Sequence, residues 1–310
     1  MSAPRFERLA VLGLGLLGGS VAWAVRKRRV AGEVVGCGRR GESLRRAQAE
    51  GLVDRVAVDP AAAVEGADLV VLATPVGAMA GLLRAAAPGL RPGALVTDVG
   101  SVKAPLAETL PGLLPPRVAY VGSHPMAGSH ERGAEHARPD LFVGAVCIVA
   151  ETVGAPPGAV ERVEGFWRSL GARTVRRDPA AHDREVAWMS HVPHAVAFAF
   201  ARALGEAPEG ARELAGPGFR DFTRIARSDP ELWAEILIAN GKAVAGPIAR
   251  VAERLAELAR TLEAGDADTA VRLLGEARAS LDRADDISPD PGAKTRKSGR
   301  KAREETENNA

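Results

Sequence analysis

The feature that most constrains the fold of this chain is a glycine-rich turn near its N terminus. An apolar run at residues 9–12 leads into a G-x-G-x-x-G pattern, and an apolar segment compatible with a helix follows. In this spacing the first glycine permits a sharp turn, the second lets the backbone approach a pyrophosphate, and the third lets the helix pack on the strand. The pattern predicts a dinucleotide held at a helix N terminus by Gly13, Gly15, Leu16, Leu17 and Gly18.

A signal peptide or membrane span is the alternative interpretation of this stretch, because basic residues flank it on both sides. A helix that crosses a bilayer needs about 20 apolar residues, whereas this run is shorter and is interrupted by glycines. No small-residue cleavage pattern accompanies it, and no second apolar run approaches a span. We therefore expect no membrane insertion and a cytoplasmic protein.

Composition places the chain among ordinary folded proteins. It has 310 residues, 46% hydrophobic and 26% charged, which is enough for two domains. The net charge of +2 is too small to indicate a nucleic-acid partner. Cys37 and Cys147 lie far apart in strand-like runs, which predicts buried thiols in a reducing compartment.

Short apolar runs alternate with helical segments up to about residue 178. Several runs are apolar at consecutive positions, as parallel strands covered on both faces should be. The alternation predicts a Rossmann-type α/β domain with a doubly wound parallel sheet over residues 1–178. Its predicted helices include 42–50, 76–87 and 159–170, and its later strands lie near 56, 67–73, 94–99, 118–121, 144–150 and 174–175.

Polar residues follow the carboxyl ends of three of these predicted strands. Thr74 and Pro75 follow one strand, Ser101 the next, and His124 the one after. In a doubly wound sheet that edge is the ligand crevice. We expect these side chains to line one pocket beside the nicotinamide.

The residues after the second strand bear on the choice between NAD and NADP. An acidic residue that holds the adenine ribose normally stands there, but this chain has Gly38 followed by Arg39 and Arg40. Two guanidinium groups can bind a 2′-phosphate, so the sequence favours NADP over NAD. The alternative is that both arginines lie in a solvated loop.

Residues 179–287 read as an all-α second domain, and residues 288–310 as a disordered tail. A long apolar helix is predicted over 182–204 with an interruption at Pro193. It carries His191 and His194, for which we find no further metal ligands, so no metal site is predicted. His191 could equally be a hydrogen-bonded core residue. Two amphipathic helices over 240–264 and 266–284 have apolar faces that suggest a homodimer.

Arg220 and Arg224 are the remaining candidates for ligand binding in this domain. They follow a Gly-Pro-Gly turn at helical spacing, i and i+4, so they share a face. Two guanidinium groups on one face suit a dicarboxylate, although such a pair is also a common solvated surface feature. A cap with proline in the first turn, 228–231, then begins a helix with Trp233.

Five strings together resemble the prephenate dehydrogenase family of tyrosine biosynthesis, or its arogenate-using relatives. They are GLGLLGGS, TDVGSVK, GSHPMAGS, HDREVAWMSHVPHAVAFA and GFRDFTRIARSDPELW, in the order of the family. The resemblance implies a Rossmann domain followed by a helical dimerisation domain. It also implies oxidative decarboxylation of prephenate to 4-hydroxyphenylpyruvate with reduction of NAD(P).

The resemblance also assigns roles at matching positions. It implies that His124 is catalytic, which suits an imidazole able to accept the substrate's hydroxyl proton, and that Ser101 supports it. It places Arg224 on a substrate carboxylate, with His194, Arg220, Ser129 and Trp233 around the side chain. Position 130 carries His130 where an acid could pair with the amino group of arogenate, which favours prephenate.

Two other classes of protein stay open as alternatives. A two-domain hydroxyacid dehydrogenase would use a helical lysine, for which Lys242 is a candidate, but it leaves His124 and Arg224 without roles. A silent nucleotide-binding regulator would bind cofactor without turnover. We expect no separate regulatory module within these 310 residues, so any feedback by tyrosine would act at the active site.

Overall fold

The structure, a computed structural model, describes residues 6–39, 41–128, 131, 133–152 and 154–287, with the backbone alone for 283–287. Its central sheet has six parallel strands in the order β3-β2-β1-β4-β5-β6. This order and the parallel pairing are those of a dinucleotide-binding sheet, as predicted. The strands are β1 (Phe6–Leu12), β2 (Ala31–Cys37), β3 (Arg55–Ala57), β4 (Leu69–Leu72), β5 (Leu95–Asp98) and β6 (Ala119–Tyr120).

Helices connect these strands and cover both faces of the sheet. Successive residues of β1 join different apolar cores: Leu9 packs in one with Trp167, and Ala10 packs in the other with Met79. Both faces are therefore buried, which explains the consecutive apolar residues in the strands. The connecting helices are α1 (Leu16–Arg28), α2 (Gly41–Ala49), α3 (Pro60–Val64), α4 (Val76–Ala86) and α5 (Ala104–Thr109); α6 (Ala159–Ser169) comes after the sixth strand and contributes Trp167 to the core that contains Leu9.

A second, three-stranded sheet follows the first. It consists of β7 (Ser123–Pro125), β8 (Val146–Ala150) and β9 (Arg173–Arg177), with β7 and β8 antiparallel and β8 and β9 parallel. The chain passes from β6 almost directly into β7, where His124 pairs with Ile148. His124 therefore lies beyond the end of the main sheet, as predicted, but inside a strand of its own, which the sequence pattern did not predict.

The helical part begins directly after β9. The predicted helix over 182–204 begins earlier, as α7 (Pro179–Val186), and continues through a π-helical turn (Ala187–His191) into α8 (Val192–Ala203). The irregularity thus lies before Pro193, which sits in the first turn of α8. A proline ring would clash with the carbonyl four residues earlier, and the wider π turn avoids this clash.

The remaining helices carry the predicted arginines and tryptophan. They are α9 (Pro217–Thr223), a 3₁₀ turn (Arg224–Arg227), α10 (Pro230–Ala239), α11 (Gly241–Glu263) and α12 (Ala267–Ile287). Asp229 caps α10, its Oδ1 accepting a hydrogen bond from the Leu232 N–H at 2.9 Å, with Pro230 in the first turn. This confirms the helix start predicted from 228–231.

The chain divides into two compact units between Ile248 and Ala249, within α11. In the second unit, large apolar side chains are exposed, among them Leu262, Val271 and Leu274. The domain boundary near residue 178 stays a prediction, and the tail at 288–310 lies outside the described residues.

Both cysteines, Cys37 and Cys147, are free and buried, as predicted. Among the described residues, no helix combines the length and the apolar character needed to cross a membrane.

Candidate active site

The glycine turn after β1 has the tight geometry that its spacing predicts. Gly13 has φ +109°, a conformation that favours glycine, and a Cβ there would lie 2.7 Å from the carbonyl oxygen of Ala73. A Cβ on Gly18 would lie 1.8 Å from the Gly13 carbonyl oxygen, so α1 packs this closely only with glycine. At Gly15 a Cβ would meet nothing within 4 Å. The turn is closed toward the protein and open on its outer side, as a bound pyrophosphate requires.

The first turn of α1 adds amides that no side chain caps. The cap residue is Gly15, which has no side chain to accept a hydrogen bond from these amides, and the first turn contains no acidic residue. Leu16 and Leu17, which begin the helix, are half-buried. Because a helix N terminus carries partial positive charge and unpaired N–H groups, this end of α1 suits an anion.

Thr74 contributes a buried polar atom to the same corner. Its hydroxyl oxygen is buried and makes no hydrogen bond within the described residues. Its Cγ2 would lie 2.9 Å from a Cβ on Gly13, so the side chain stands beside the glycine turn. Pro75 is exposed and precedes α4. A buried hydroxyl without a partner is costly, and a ligand beside Gly13 would supply one. These residues fit a bound dinucleotide.

The loop directly after β2, where the adenine ribose of a dinucleotide usually binds, begins with no acidic residue. The strand ends at Cys37, Gly38 is half-buried, and Arg39 is exposed. Arg40 lies outside the described residues. The observed part of this loop therefore offers one guanidinium to solvent and no carboxylate at the position that usually binds the ribose.

A buried ion pair anchors the loop that carries Ser101. Lys103 is fully buried, and its ammonium group contacts Asp98 Oδ1. Asp98 also accepts hydrogen bonds from the Tyr120 hydroxyl at 2.6 Å and from the Gly100 N–H at 2.7 Å. Each oxygen of this carboxylate thus has a donor, as a buried charge requires. The network fixes the turn after β5, in which Ser101 is half-buried.

Ser123 joins the two sheets next to His124. Its hydroxyl donates to the Asp98 carbonyl oxygen at 2.5 Å. It accepts from the indole N–H of Trp167 at 2.8 Å and lies 2.8 Å from the Thr97 hydroxyl. Since Ser123 donates its only hydroxyl proton to Asp98, the Thr97 hydroxyl is the donor in the contact between Thr97 and Ser123. These bonds hold β7, and therefore His124, against the end of β5.

His124 is buried and hydrogen-bonded to a second buried histidine. Its Nδ1 lies 2.9 Å from Nε2 of His182, and Nδ1 of His182 lies 2.7 Å from Oδ1 of Asp183. All three side chains are less than a tenth exposed. Burial first, then the nearby positive groups, holds the pKa of His124 well below its usual value. His124 is therefore neutral near neutral pH, with a lone pair on one ring nitrogen.

Asp183 links this histidine pair to the Ser101 loop. Its carboxylate accepts the backbone N–H of Lys103 at 2.7 Å and that of Ala104 at 2.9 Å. Despite burial, hydrogen bonds from His182 and these two amides leave the pKa of Asp183 below its usual value. The side-chain amide of Asn240, at the end of α10, donates to the Asp183 carbonyl oxygen at 2.8 Å. Residues from three distant segments thus meet at Asp183, two of them at its carboxylate and Asn240 at its backbone carbonyl.

His191 belongs to the same buried cluster. Its Nδ1 lies 2.9 Å from the Asn240 side-chain nitrogen, an amide donor, so Nδ1 accepts and Nε2 carries the proton. That Nε2 is buried and has no hydrogen-bond partner within the described residues. Burial lowers the pKa of His191 to about 4. The described residues contain no group of three or more histidine, cysteine or acidic side chains able to bind a metal.

His194, one helical turn after His191, stacks on Trp233 of α10. Their rings are 3.6 Å apart between centroids and inclined by 16°. The His194 Nδ1 lies 2.8 Å from the Ser190 carbonyl oxygen, so that nitrogen carries a proton. Desolvation is the main cause that lowers the pKa of His194, and the charge of Arg224 adds to it. Trp233, His194 and Arg224 are therefore neighbours, and their roles at a substrate stay predictions.

The other predicted substrate residues are not all placed. Arg220 lies in α9 and is exposed, and Arg224 begins the following 3₁₀ turn and is also exposed. The backbone N–H of Arg224 still donates to the Arg220 carbonyl oxygen, so the helical i, i+4 relation is kept. Ser129 and His130 lie outside the described residues, and their roles stay predictions.

The sequence patterns did not single out several residues at the centre of this site. His182 and Asp183 open one of the family-like strings and so carried a signal, but their partners are 58 residues away at His124 and 80 residues away at Lys103. Asn240 ends a helix and reads as an ordinary cap. No local pattern indicates such long-range contacts.

Comparisons with known proteins agree with this architecture. The family model described as prephenate dehydrogenase, nucleotide-binding domain, matches residues 21–176, and the one described as prephenate dehydrogenase, dimerization domain, matches residues 178–276. The cyclohexadienyl dehydrogenase of Zymomonas mobilis is 32% identical over 292 residues, which cover 92% of this chain and 99% of that protein.

Two further relatives carry the name prephenate dehydrogenase. That of Bacillus subtilis is 32% identical over 238 residues, covering 76% of this chain; the match spans 64% of the length of that protein. The A. aeolicus enzyme, solved with hydroxyphenyl propionate and NAD+, superposes with a TM-score of 0.82 at 29% identity, over 90% of this chain and 98% of that one. By its sequence matches and its fold, the chain belongs to the prephenate dehydrogenase family.

Proposed function

We propose that this protein catalyses oxidative decarboxylation of prephenate to 4-hydroxyphenylpyruvate, with NAD(P) as the hydride acceptor. The observation that carries the proposal is His124, a buried neutral imidazole hydrogen-bonded to a second buried histidine. It stands beyond the edge of the same sheet whose first strand leads into the glycine turn. A base beside a dinucleotide is what oxidation of a secondary alcohol needs.

In this reaction His124 accepts the proton of the ring hydroxyl. The carbinol C–H bond breaks with its electron pair leaving as hydride, for which a nicotinamide held at the glycine turn would supply the acceptor. The ring carboxylate leaves as carbon dioxide, and its bonding pair makes the ring aromatic. The oxygen then recovers a proton as the phenol forms, so His124 acts first as a base and then as an acid. Ser101, on the loop fixed by Asp98, is proposed to hold the same hydroxyl.

The helical part is proposed to bind the rest of the substrate. Arg224 pairs with a carboxylate, and the neutral ring of His194 stacked on Trp233 forms an apolar wall with a polar edge. Arg220, Ser129 and His130 complete this set as proposals carried over from the family. Prephenate has two carboxylates, and exposed guanidinium groups can form charge-assisted bonds to them.

We further propose NADP as the preferred cofactor. Gly38 takes the place of the carboxylate that would repel a 2′-phosphate, and the exposed Arg39 is available to bind one. Arg40 is proposed to act with it. Arogenate is the alternative substrate, and the absence of an acid at position 130 favours prephenate.

A homodimer is the proposed assembly. Large apolar side chains of the helical part are exposed, including Met189 and Ile238 in the first unit and Leu262 in the second. Exposed apolar side chains are typical of interfaces where they form a patch, and the matched dimerization domain covers these residues.

The test is a four-way assay of prephenate and arogenate, each with NAD and NADP, followed by the absorbance of reduced nicotinamide and by chromatography of the product. We expect turnover with prephenate, faster with NADP. No turnover in all four, from protein that binds a dinucleotide in a titration, would overturn the proposal. Turnover with arogenate alone would replace the substrate.

A further inference from the structure

We propose that His182 and Asp183 form a proton relay behind His124, so that the catalytic base is a linked pair of histidines backed by a carboxylate. The chemical role of the relay rests on the proposed function. The direction of the hydrogen bonds in the relay does not rest on that function, because this direction follows from the protein groups alone.

The geometry forms one continuous line of hydrogen bonds. It runs from His124 Nδ1 to His182 Nε2 over 2.9 Å, and from His182 Nδ1 to Asp183 Oδ1 over 2.7 Å. The His124 and His182 rings are 5.1 Å apart between centroids and inclined by 65°, so they meet edge to edge and do not stack. His182 is fully buried. Both of its nitrogens are used within the line, which leaves it no contact with substrate.

The ends of this line fix the tautomer of each ring. Asp183 is a carboxylate and can only accept, so His182 Nδ1 carries the proton that it receives. A neutral His182 then has a lone pair on Nε2, and His124 must donate to it from Nδ1. His124 is left with its lone pair on Nε2. Through His182, the Asp183 carboxylate thereby leaves the lone pair of His124 on Nε2, the nitrogen that does not face His182. The aspartate of a Ser-His-Asp triad fixes the tautomer of its histidine in the same way.

The same line provides a path for the proton. When the substrate O–H bond breaks and its proton binds His124 Nε2, the Nδ1 proton of His124 can move to His182 Nε2. The positive charge then lies on His182, next to the Asp183 carboxylate. When the phenol oxygen recovers its proton, both transfers reverse, and all groups return to their starting state.

The surroundings explain why a single histidine would be a poor acceptor here. Burial and the neighbouring Lys103 both oppose a positive charge on His124. The charged groups that face the pair are Lys103, which is positive, and Asp98 and Asp183, which are negative; His191 also lies nearby as a neutral ring. Lys103 is already paired with Asp98, so Asp183 is the carboxylate available to His182. Moving the charge to His182 places it beside that carboxylate.

Asp183 also holds the Ser101 loop through two backbone amides. A substitution of Asp183 would therefore disturb the loop as well as the relay, and His182 is the better residue to change. His182 is a positioning residue, since it acts through His124.

The first experiment uses the wild-type protein with no substrate. Two-bond ¹H–¹⁵N spectra of the imidazole rings distinguish Nδ1–H from Nε2–H tautomers, and a spectrum of His182→Gln assigns the missing ring. A spectrum of His124→Asn assigns the His124 ring in the same way, and we expect Nδ1–H for both His182 and His124. An Nε2–H tautomer at His124 would overturn the relay, whatever the enzyme proves to oxidise.

The second experiment compares two substitutions of His182 with a matched control. Glutamine can still accept the His124 Nδ1–H but cannot take up a proton, and leucine can do neither. We expect kcat to fall about tenfold in His182→Gln and about a hundredfold in His182→Leu, with KM for prephenate and cofactor affinity changed less than about twofold. His136→Gln, at a partly exposed ring, should leave kcat unchanged.

Solvent isotope measurements separate the relay from a packing role. In mixtures of H₂O and D₂O, kcat of the wild type should depend on the deuterium fraction along a curve, because two protons move. In His182→Gln the dependence should become linear. A linear wild-type dependence, or equal kcat in the two His182 variants, would reduce His182 to a structural residue. If prephenate is not oxidised at all, the proposed function fails while the tautomer spectrum still decides the hydrogen-bond direction.

Discussion

The glycine turn and the His124 cluster both follow the carboxyl ends of strands of the six-stranded parallel sheet, but they are built in opposite ways. The turn uses backbone: Gly13, Gly15 and Gly18 shape it by lacking side chains, and α1 directs its amides outward. The cluster uses side chains, namely His124, His182 and others from distant segments. The turn is formed by residues that are adjacent in the sequence, whereas the cluster is formed by residues that are far apart in the sequence.

This difference governs what each region tolerates. The glycine turn depends on the absence of side chains. An added methyl group is therefore harmful only where a ligand or another part of the chain must come close to the backbone. A buried polar cluster depends on every donor having an acceptor, so the loss of one partner leaves another group unsatisfied. The following changes test the contrast, from the largest expected effect to the smallest.

Asp98→Asn should have the largest effect, and on stability. It removes the charge that pairs with the fully buried Lys103, and breaking a buried pair costs about 3–5 kcal/mol. Urea denaturation followed by circular dichroism measures the free energy of unfolding, with Asp282→Asn on the exposed surface as the control. A loss below about 1 kcal/mol, the size of a surface ion pair, would mean that the cluster tolerates broken pairs and would break the comparison.

Acid should weaken the cluster before it affects the turn. The folded-state pKa of His191 is about 4, below its ordinary value of 6.5, and burial also lowers the pKa values of His124 and His182. The unfolded chain then binds more protons, so stability is full above about pH 6.5 and is lost as the pH falls toward 4. We expect about 3 kcal/mol from His191 alone, measured as the free energy of unfolding against pH. A flat profile over this range would contradict it.

His124→Asn should lower kcat by about a hundredfold or more, because asparagine cannot accept the hydroxyl proton. Cofactor affinity should stay near the wild-type value, since the glycine turn is untouched. Steady-state kinetics with prephenate and a fluorescence titration of the reduced cofactor measure the two quantities. Near-normal turnover would remove His124 from the mechanism and leave the cluster without a catalytic role.

Gly15→Ala should leave the fold intact and weaken dinucleotide binding by about tenfold or more. A Cβ at this position meets no protein atom within 4 Å, but it would stand where the pyrophosphate approaches the backbone. Gly18→Ala is the contrasting variant and should destabilise the protein, because its Cβ would overlap the Gly13 carbonyl oxygen. Unchanged cofactor affinity in Gly15→Ala would place the dinucleotide elsewhere.

Arg224→Ala should have the smallest effect of the series, a rise of about tenfold in KM for prephenate with kcat within a few-fold. The residue is exposed and lies outside the buried cluster, so only the bond to the substrate is lost. Arg227→Ala, an exposed neighbour on the same 3₁₀ turn, is the control. An unchanged KM would rule out Arg224 as the partner of a substrate carboxylate.

The sequence by itself determined the local parts of this protein. Residue periodicity indicates the buried parallel strands, glycine spacing indicates the turn, and Asp229 with Pro230 indicates the start of α10. These are short-range effects of sterics and hydrogen bonding between neighbours, so they can be read from adjacent residues. The sequence also identified His124 and Ser101 as candidates by their place after predicted strands and Arg224 by its helical spacing from Arg220, and the family-like strings gave them roles.

Only the tertiary structure decided how those parts meet. It placed His124 in a second sheet, turned the irregularity before Pro193 into a π turn that ends at His191, and brought His182 and Asp183 behind the base. It also buried Lys103 against Asp98. The residues of the His124 cluster come together only when the end of the sheet packs against the helices. The energy of a buried polar group depends on that packing, because removal from water makes each missing partner costly.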